Sequence, residues 1–250
     1  MNFPIDSYEL RARYAPSLIV VTPFLITLWA CAPTEFQGVA AFSGGILSIV
    51  VWYSFSVFVR YCGKRAEKQI WNEPSEKPVV SFLLWNNNMI GRDLKMQYHK
   101  VIYDCLHLPT WSPEFEEGDP LKAAQYGRQA FVRAKGVVRR LDPNGLWYID
   151  LADYGFARNL YGARWYWVGV SVCMSFTSLF LVLLGRSSDM LILGLIMNIF
   201  MLLFSFVFGR VLGDLSKEIA LRYAQHFWES FLNLSENVNY DKRIEGKNGN

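Results

Sequence analysis

The chain has 250 residues, 52% of them hydrophobic and 16% aromatic, with a formal net charge of +3. That is too apolar for a disordered chain and too nearly neutral to mark a general nucleic-acid binder. The apolar excess is collected in four blocks, 15–32, 39–59, 165–185 and 190–212, with no charge in any of them before Arg210. About 20 apolar residues are needed to cross a bilayer core as a helix, so the blocks predict four spanning helices.

Residues 1–14 are a short polar lead in which Arg11, Arg13 and Tyr14 suit a membrane interface. Residues 15–59 then form a first transmembrane hairpin closed by a short outer loop. Pro16 fits the first turn without cost, whereas Pro23 is expected to kink the helix. Leu28-Trp-Ala-Cys31 resembles a bacterial lipoprotein cleavage site, but Trp29 fits it poorly, and the block reads as a retained helix. In the second block Gly44, Gly45, Ser48, Ser54 and Ser56 are small enough for close helix approach.

Residues 60–164 read as a cytosolic helical insert. The pattern continues as a helix toward Trp71 and breaks at Asn72-Glu-Pro74 and Lys77-Pro78. Residues 79–85 suit a short helical turn or a buried extended segment. Over 91–108, Leu94, Tyr98, Val101, Cys105 and Leu108 share one helical face, and Pro109 ends it. An acidic loop over 111–117 leads to Asp119-Pro120, an N-cap and first-turn pair.

The helix over 120–141 is the most informative soluble element. Ala124, Gly127, Phe131, Ala134, Val138 and Leu141 recur at helical spacing and are expected to be buried. The remaining surface carries Lys122, Arg128, Arg133, Lys135, Arg139 and Arg140, with no carboxylate before Asp142. Such a face either lies against solvent and anionic headgroups or binds a phosphate-rich ligand, a nucleotide or oligonucleotide. On the second reading Arg128, Arg133, Lys135, Arg139 and Arg140 hold the ligand, and Arg92, Lys95, His99 and Lys100 supply another wall.

Residues 150–164 join the insert to the membrane. Gly155 and Gly162 suggest backbone freedom, Tyr154, Phe156 and Tyr161 suit the interface, and Arg158 and Arg164 suit lipid phosphates. The plain reading is an interfacial anchor. The sharper one makes Tyr154, Phe156, Arg158 and Asn159 a gating junction.

Residues 165–212 form a second transmembrane hairpin with a tight outer turn at 185–189. Ser171, Ser175 and Ser178 share a face of its first helix, and Gly194, Asn198, Ser205 and Gly209 a face of its second. Small and polar stripes serve helix packing, or, around an oligomer axis, Asn198, Ser205, Ser171, Ser175 and Ser178 line a pore. Residues 213–250 are expected to be a cytosolic tail that follows the last span after Gly213. There Leu215, Ile219, Tyr223, Phe227, Phe231 and Leu234 align as an amphipathic helix before a disordered end.

Lys and Arg gather beside the inner ends of the spans, at Arg60, Lys64, Arg65, Lys68, Arg158, Arg164, Arg210 and Lys217, whereas the outer loops hold Glu35, Arg186 and Asp189. Both termini and the insert therefore face the cytoplasm. Cys31, Cys62, Cys105 and Cys173 form neither a disulfide framework nor a CxxC site. P-loop, GxGxxG, HExxH and GxSxG signatures are missing, and His99 and His107 do not share a helix face. Glu116-Glu117 reads as an acidic pair favouring a helix start. No catalytic residue, metal site or cofactor is expected.

The pieces Asp93-Leu94, Lys95, Tyr98-His99, Pro109-Thr110, Glu116-Glu117, Asp119-Pro120, Tyr154-Gly155-Phe156-Ala157-Arg158-Asn159 and Gly162 resemble, in order and spacing, a family of bacterial four-helix membrane proteins. Members tend to carry Glu-Asn ahead of Tyr-Gly-Phe, where this chain has Asp150-Leu-Ala-Asp153. The family is similar to membrane effectors of bacterial antiphage systems, including the Hailong type, encoded beside a nucleotidyltransferase whose nucleic-acid product controls an oligomeric channel. The resemblance implies a bacterial inner-membrane channel effector. It further implies a homo-oligomeric ring, such as a tetramer, and a nucleotide or single-stranded oligonucleotide made by that partner enzyme. The expectation is thus an all-α membrane protein, two transmembrane helical hairpins flanking a cytosolic helical domain, in contact with the lipid bilayer. The alternatives are a non-conducting membrane scaffold or adaptor for a cytosolic partner and a bilayer-thinning toxin. A transporter is disfavoured for want of an inverted repeat.

Overall fold

The computed structural model describes residues 7–31, 37–186 and 189–247, with side chains over 8–31, 52–73, 75–186 and 189–235. Among the described residues every regular element is helical. The chain divides into two compact units. Unit 1 comprises Met1–Ile70 and Ala152–Lys217, and unit 2 comprises Trp71–Leu151 and Glu218–Asn250.

Unit 1 begins with α1 (Ser7–Glu9), a π turn over Leu10–Tyr14, and α2 (Ala15–Cys31), which contains Pro23. It continues with α3 (Gln37–Ile70) and most of α8 (Leu146–Leu183), and closes with the first half of α9 (Asp189–Lys247). Among the described residues three helical stretches are long and apolar enough to cross a membrane: Leu10–Cys31, Leu146–Leu183 and Asp189–Ser235. The expected span over 39–59 falls in α3, but the side chains of 37–51 lie outside the described residues. Phe176, Leu183, Phe200, Leu203 and Val207 are exposed along α8 and α9. Large apolar side chains laid out over such lengths fit hydrocarbon, not water.

Inside unit 1, Val20, Val59, Leu160, Ala163, Trp167 and Leu212 pack as one core drawn from α2, α3, α8 and α9. Helices α8 and α9 run antiparallel past each other. Arg164 meets Gly209, the Trp167 ring stands 5.6 Å from Phe204, and Ser178 meets Asn198. Gly185, at φ 80°, takes the left-handed conformation just past the end of α8.

Helix α8 is continuous from Leu146 to Leu183, so Gly155 and Gly162 do not loosen the backbone as expected. They allow close packing instead. A Cβ on Gly162 would stand 2.4 Å from the Cys62 carbonyl oxygen and 2.6 Å from Gly63 N, and one on Gly155 would stand 2.7 Å from the Ala12 Cβ. Small residues let helices cross nearly backbone to backbone.

Unit 2 packs α4 (Pro78–Ser81), α5 (Arg92–Leu106), α6 (Pro113–Gly118), α7 (Pro120–Leu141) and the start of α8 against the distal half of α9. Tyr98, Ile102, Leu83, Trp147, Phe227, Trp228 and Phe231 are its largest buried side chains. Trp228 donates its indole N–H to the Val79 carbonyl at 3.0 Å, so α9 completes the insert's core.

Several local expectations change. The acidic loop over 111–117 contains helix α6, capped by Ser112, whose hydroxyl accepts from Phe115 N at 3.2 Å. Helix α9 runs through Gly213 from Asp189 to Lys247, including most of the tail end expected to be disordered. The apolar face of that tail is placed as expected at Ile219, Tyr223, Phe227 and Phe231. On α7, Gly127, Ala134 and Val138 are buried, with Ala123 and Ala130 beside them, whereas Leu141 is exposed. On α5 the buried face is Lys95, Tyr98, His99, Ile102 and Leu106, leaving Cys105 exposed.

Candidate functional site

Helix α7 starts from a sharp signal: the Asp119 carboxylate accepts from Lys122 N at 3.1 Å, and Pro120 fills the first turn. Its alanines and glycine then let it lie close on the core, with Gly127 against Val80 and Trp111. The opposite side is left to charge. Arg128, Lys135 and Arg139 recur at whole numbers of turns on one flank of the exposed surface, and Lys122, Arg133 and Arg140 do so on the other. Between the two rows lie exposed Gln125, Gln129, Val132 and Gly136, the last with open space where a Cβ would be.

Among the described residues no carboxylate is ion-paired with any of these six cations. Lys135 lies over the Phe131 ring at 5.9 Å, and burial, then the charge of Arg139, lowers its ammonium pKa from the ordinary lysine value. Lys122 lies 5.8 Å from the Phe115 ring centroid, and Arg133 donates to the Leu106 carbonyl at 3.3 Å. The positive charge is thus concentrated and uncompensated, as an anionic ligand requires.

The other expected wall is not assembled. Lys95 is 2% exposed and gives its ammonium to three backbone carbonyls, Leu84 at 2.6 Å, Trp85 at 3.2 Å and Asn87. Burial lowers its pKa, with Glu116 acting the other way. His99 donates Nε2 to the Leu83 carbonyl at 2.9 Å and lies between the Trp85 and Trp111 rings. Burial pushes the His99 pKa down, so the ring is neutral near pH 7. Arg92 and Lys100 are exposed. The Glu114 carboxyl is held below the ordinary range by the Ser112 hydroxyl first and, in smaller part, by Arg92.

Sequence reasoning missed what replaces that wall. Glu116 accepts from Trp85 N at 2.8 Å, Asn86 N at 2.9 Å and the Trp111 indole at 3.0 Å. Glu116, Lys95 and His99 together satisfy both donors and acceptors of the irregular backbone over 83–87. No pattern in the sequence marked this clamp, because each of its three polar side chains is buried only through the peptide groups that lie opposite it.

The junction residues are knitted into unit 1. Arg158 pairs with Glu67 at 2.9 Å, both largely buried, so it is not left free for lipid phosphate. Asn159 donates to the Ala12 carbonyl at 2.6 Å and is 1% exposed. Tyr154 is buried, with the Arg158 guanidinium 5.5 Å from its ring centroid, and Phe156 is half-buried. Asn159 and Arg158 therefore tie the segment over 154–159 to the π turn over Leu10–Tyr14 and to α3.

The polar stripes of α8 and α9 also turn inward. Asn198 donates to Thr27 Oγ1 at 2.7 Å and Ser178 Oγ at 3.4 Å, and Ser205 donates to the Leu202 carbonyl. Ser171, Ser178, Asn198 and Ser205 are buried, and Ser175 is half-buried. The indole N–H of Trp167, the hydroxyls of Ser171 and Ser175, and Asn198 Oδ1 have no hydrogen-bond partner among the described residues. The stripe is thus a file inside one chain, with spare hydrogen-bonding capacity among the described residues that water would satisfy.

Comparison with known proteins places no name on this arrangement: no family model, curated protein or solved structure matches the chain.

Proposed function

We propose that the chain is an oligomeric inner-membrane ion-conducting effector of bacterial antiphage defence, its soluble unit binding a nucleotide or single-stranded oligonucleotide on α7. The observation that carries the reading is the double row of cations, Lys122, Arg133 and Arg140 on one flank and Arg128, Lys135 and Arg139 on the other. Six cations without carboxylate partners repel one another, and a polyanion between the rows relieves that repulsion. Conduction is supported by the file of polar atoms at Trp167, Ser171, Ser175 and Asn198 that have no partner among the described residues, which favours a wet path within each protomer. A ligand moves this equilibrium only by binding one state better than the other, so the two states must present α7 differently.

The test uses the full chain in nanodiscs and a fluorescent single-stranded oligonucleotide, read by anisotropy. Binding is expected to weaken with salt at a logarithmic slope of about −3, roughly −0.7 for each of four or five phosphates. Replacing Arg128, Arg133, Lys135, Arg139 and Arg140 with Gln should abolish it while helical content is unchanged. Binding that survives in that variant removes α7 as the site.

A second reading, a non-conducting scaffold that recruits a cytosolic partner, is favoured by the hydrogen bonds Asn198 makes to Thr27 and Ser178, which use polar groups for helix packing. Proteoliposome ion flux separates the two, because a scaffold passes no ions with or without the oligonucleotide.

A further inference from the structure

A cavity of about 260 Å³ opens between α8 and α9 inside unit 1, bordered by Tyr161, Arg164, Trp165, Ser205, Phe206 and Arg210. Arg164 comes from one helix and Arg210 from the other. The Arg164 guanidinium stacks 3.8 Å from the Tyr161 ring centroid, lies 5.6 Å from that of Trp165, and donates to the Tyr161 carbonyl at 2.8 Å. The Arg210 guanidinium lies 4.3 Å from the Phe206 ring centroid. Arg164 packs on Gly209, where a Cβ would stand in ordinary contact with the Arg164 Cβ at 3.4 Å.

Among the described residues neither arginine is ion-paired with a carboxylate. Two guanidinium groups bordering one cavity without a counter-charge repel each other unless an anion lies between them. Their level along the helices indicates which anion. Arg164 directly precedes the aromatic run Trp165-Tyr166-Trp167, where the apolar stretch of α8 begins, and Arg210 is the first charge after the apolar stretch of α9. Because Arg164 packs on Gly209, both lie at the same height, the boundary where lipid phosphates and interfacial aromatics are found. Trp165 also borders an apolar groove of about 480 Å³ with Phe24, Phe55, Gly169 and Met174, suited to an acyl chain.

We propose that Arg164 and Arg210 together hold the phosphate of one anionic phospholipid, whose acyl chain passes Trp165 into the apolar groove. The planar guanidinium forks suit the tetrahedral phosphate, and the stacked rings hold them in place. Inorganic phosphate offers the same anionic oxygens without the chain, and the experiment tells the two apart.

The full-length protein in maltoside micelles is titrated with phosphatidylglycerol or phosphatidylcholine carrying brominated chains, and tryptophan quenching is followed. The share due to Trp165 is obtained by subtracting the Trp165→Phe variant. Phosphatidylglycerol is expected to quench Trp165 at about tenfold lower mole fraction than phosphatidylcholine, the preference two interfacial arginines supply. Arg164→Gln with Arg210→Gln should erase that preference with unchanged helical content, whereas Arg164→Lys with Arg210→Lys should keep most of it. Equal quenching by both lipids in the wild type overturns the proposal, as does a preference that survives the double Gln change. Loss of the preference in millimolar inorganic phosphate overturns it too, assigning the site to the free anion. The α7 Gln variant should retain the preference, so failure here is distinct from failure of the oligonucleotide site.

Discussion

Glu116→Gln tests the physical account of unit 2 most directly. The carboxylate is 3% exposed and accepts three hydrogen bonds, two from backbone N–H groups of an irregular segment and one from an indole. It also offsets the burial of Lys95. In Gln one oxygen becomes an amide NH₂, which faces a donor and cannot accept, so at least one buried N–H loses its partner. A buried unsatisfied donor costs about 1–3 kcal/mol, and the lost charge near Lys95 adds to it, giving about 2–4 kcal/mol in all. At roughly 2–4 °C per kcal/mol for a chain of this size, the midpoint should fall by about 4–16 °C. Thermal unfolding of the full chain in detergent, followed by tryptophan fluorescence, reads this. Hydrogen exchange at the amides of Trp85 and Asn86 should accelerate in parallel. The exposed neighbour Glu117 supplies the contrast, since Glu117→Gln should change stability by no more than about 0.5 kcal/mol. Equal effects from the two substitutions would refute the clamp.

Two further outcomes follow from the geometry. Gly162→Ala places a Cβ 2.4 Å from the Cys62 carbonyl oxygen, a backbone atom that cannot move aside, so a loss of about 1–3 kcal/mol is expected in detergent melting. Gly136→Ala, in open space on α7, should instead stabilise by up to about 1 kcal/mol, and the same sign at both sites would contradict the packing argument. For His99, burial places the folded-state pKa below the ordinary 6.5, so near that pH the unfolded chain binds more protons. The stability from His99 is whole above pH 6.5 and is lost as pH falls from there toward the folded-state value. Melting between pH 7.5 and 5.5 should show that decline, and a His99→Gln protein that declines as steeply would remove His99 as its cause.

Where the reading of the chain held and where it slipped has one cause throughout. The faces of α7 and of the distal part of α9 were legible because Gly127, Ala134, Val138, Tyr223, Phe227 and Phe231 are apolar and recur with the helix. The face of α5 was misread because periodicity counts apolar side chains, and Lys95 and His99 are buried for a reason it does not register. Helix α4 ends at Ser81, the following backbone over 83–87 exposes peptide groups, and α5 answers them. Glu116 and Glu117 look alike in a string of letters, and only the position of the Trp85 and Asn86 amides separates them. Gly155 and Gly162 were open to two meanings, freedom or closeness, and the Cys62 backbone opposite Gly162 decides for closeness.

Composition and spacing alone therefore determined that the chain is helical, that it carries stretches able to cross a membrane, and that α7 has an uncompensated basic side. Those follow from local transfer energetics and helical repeat, which need no knowledge of neighbours. Tertiary structure alone decided that Lys95 serves backbone carbonyls, that Arg158 is paired with Glu67, that Asn198 and its serines face the interior of their own chain, and that Arg164 meets Arg210 across a cavity. Each depends on what lies opposite a side chain, and residues distant in sequence become opposite only once the helices have packed.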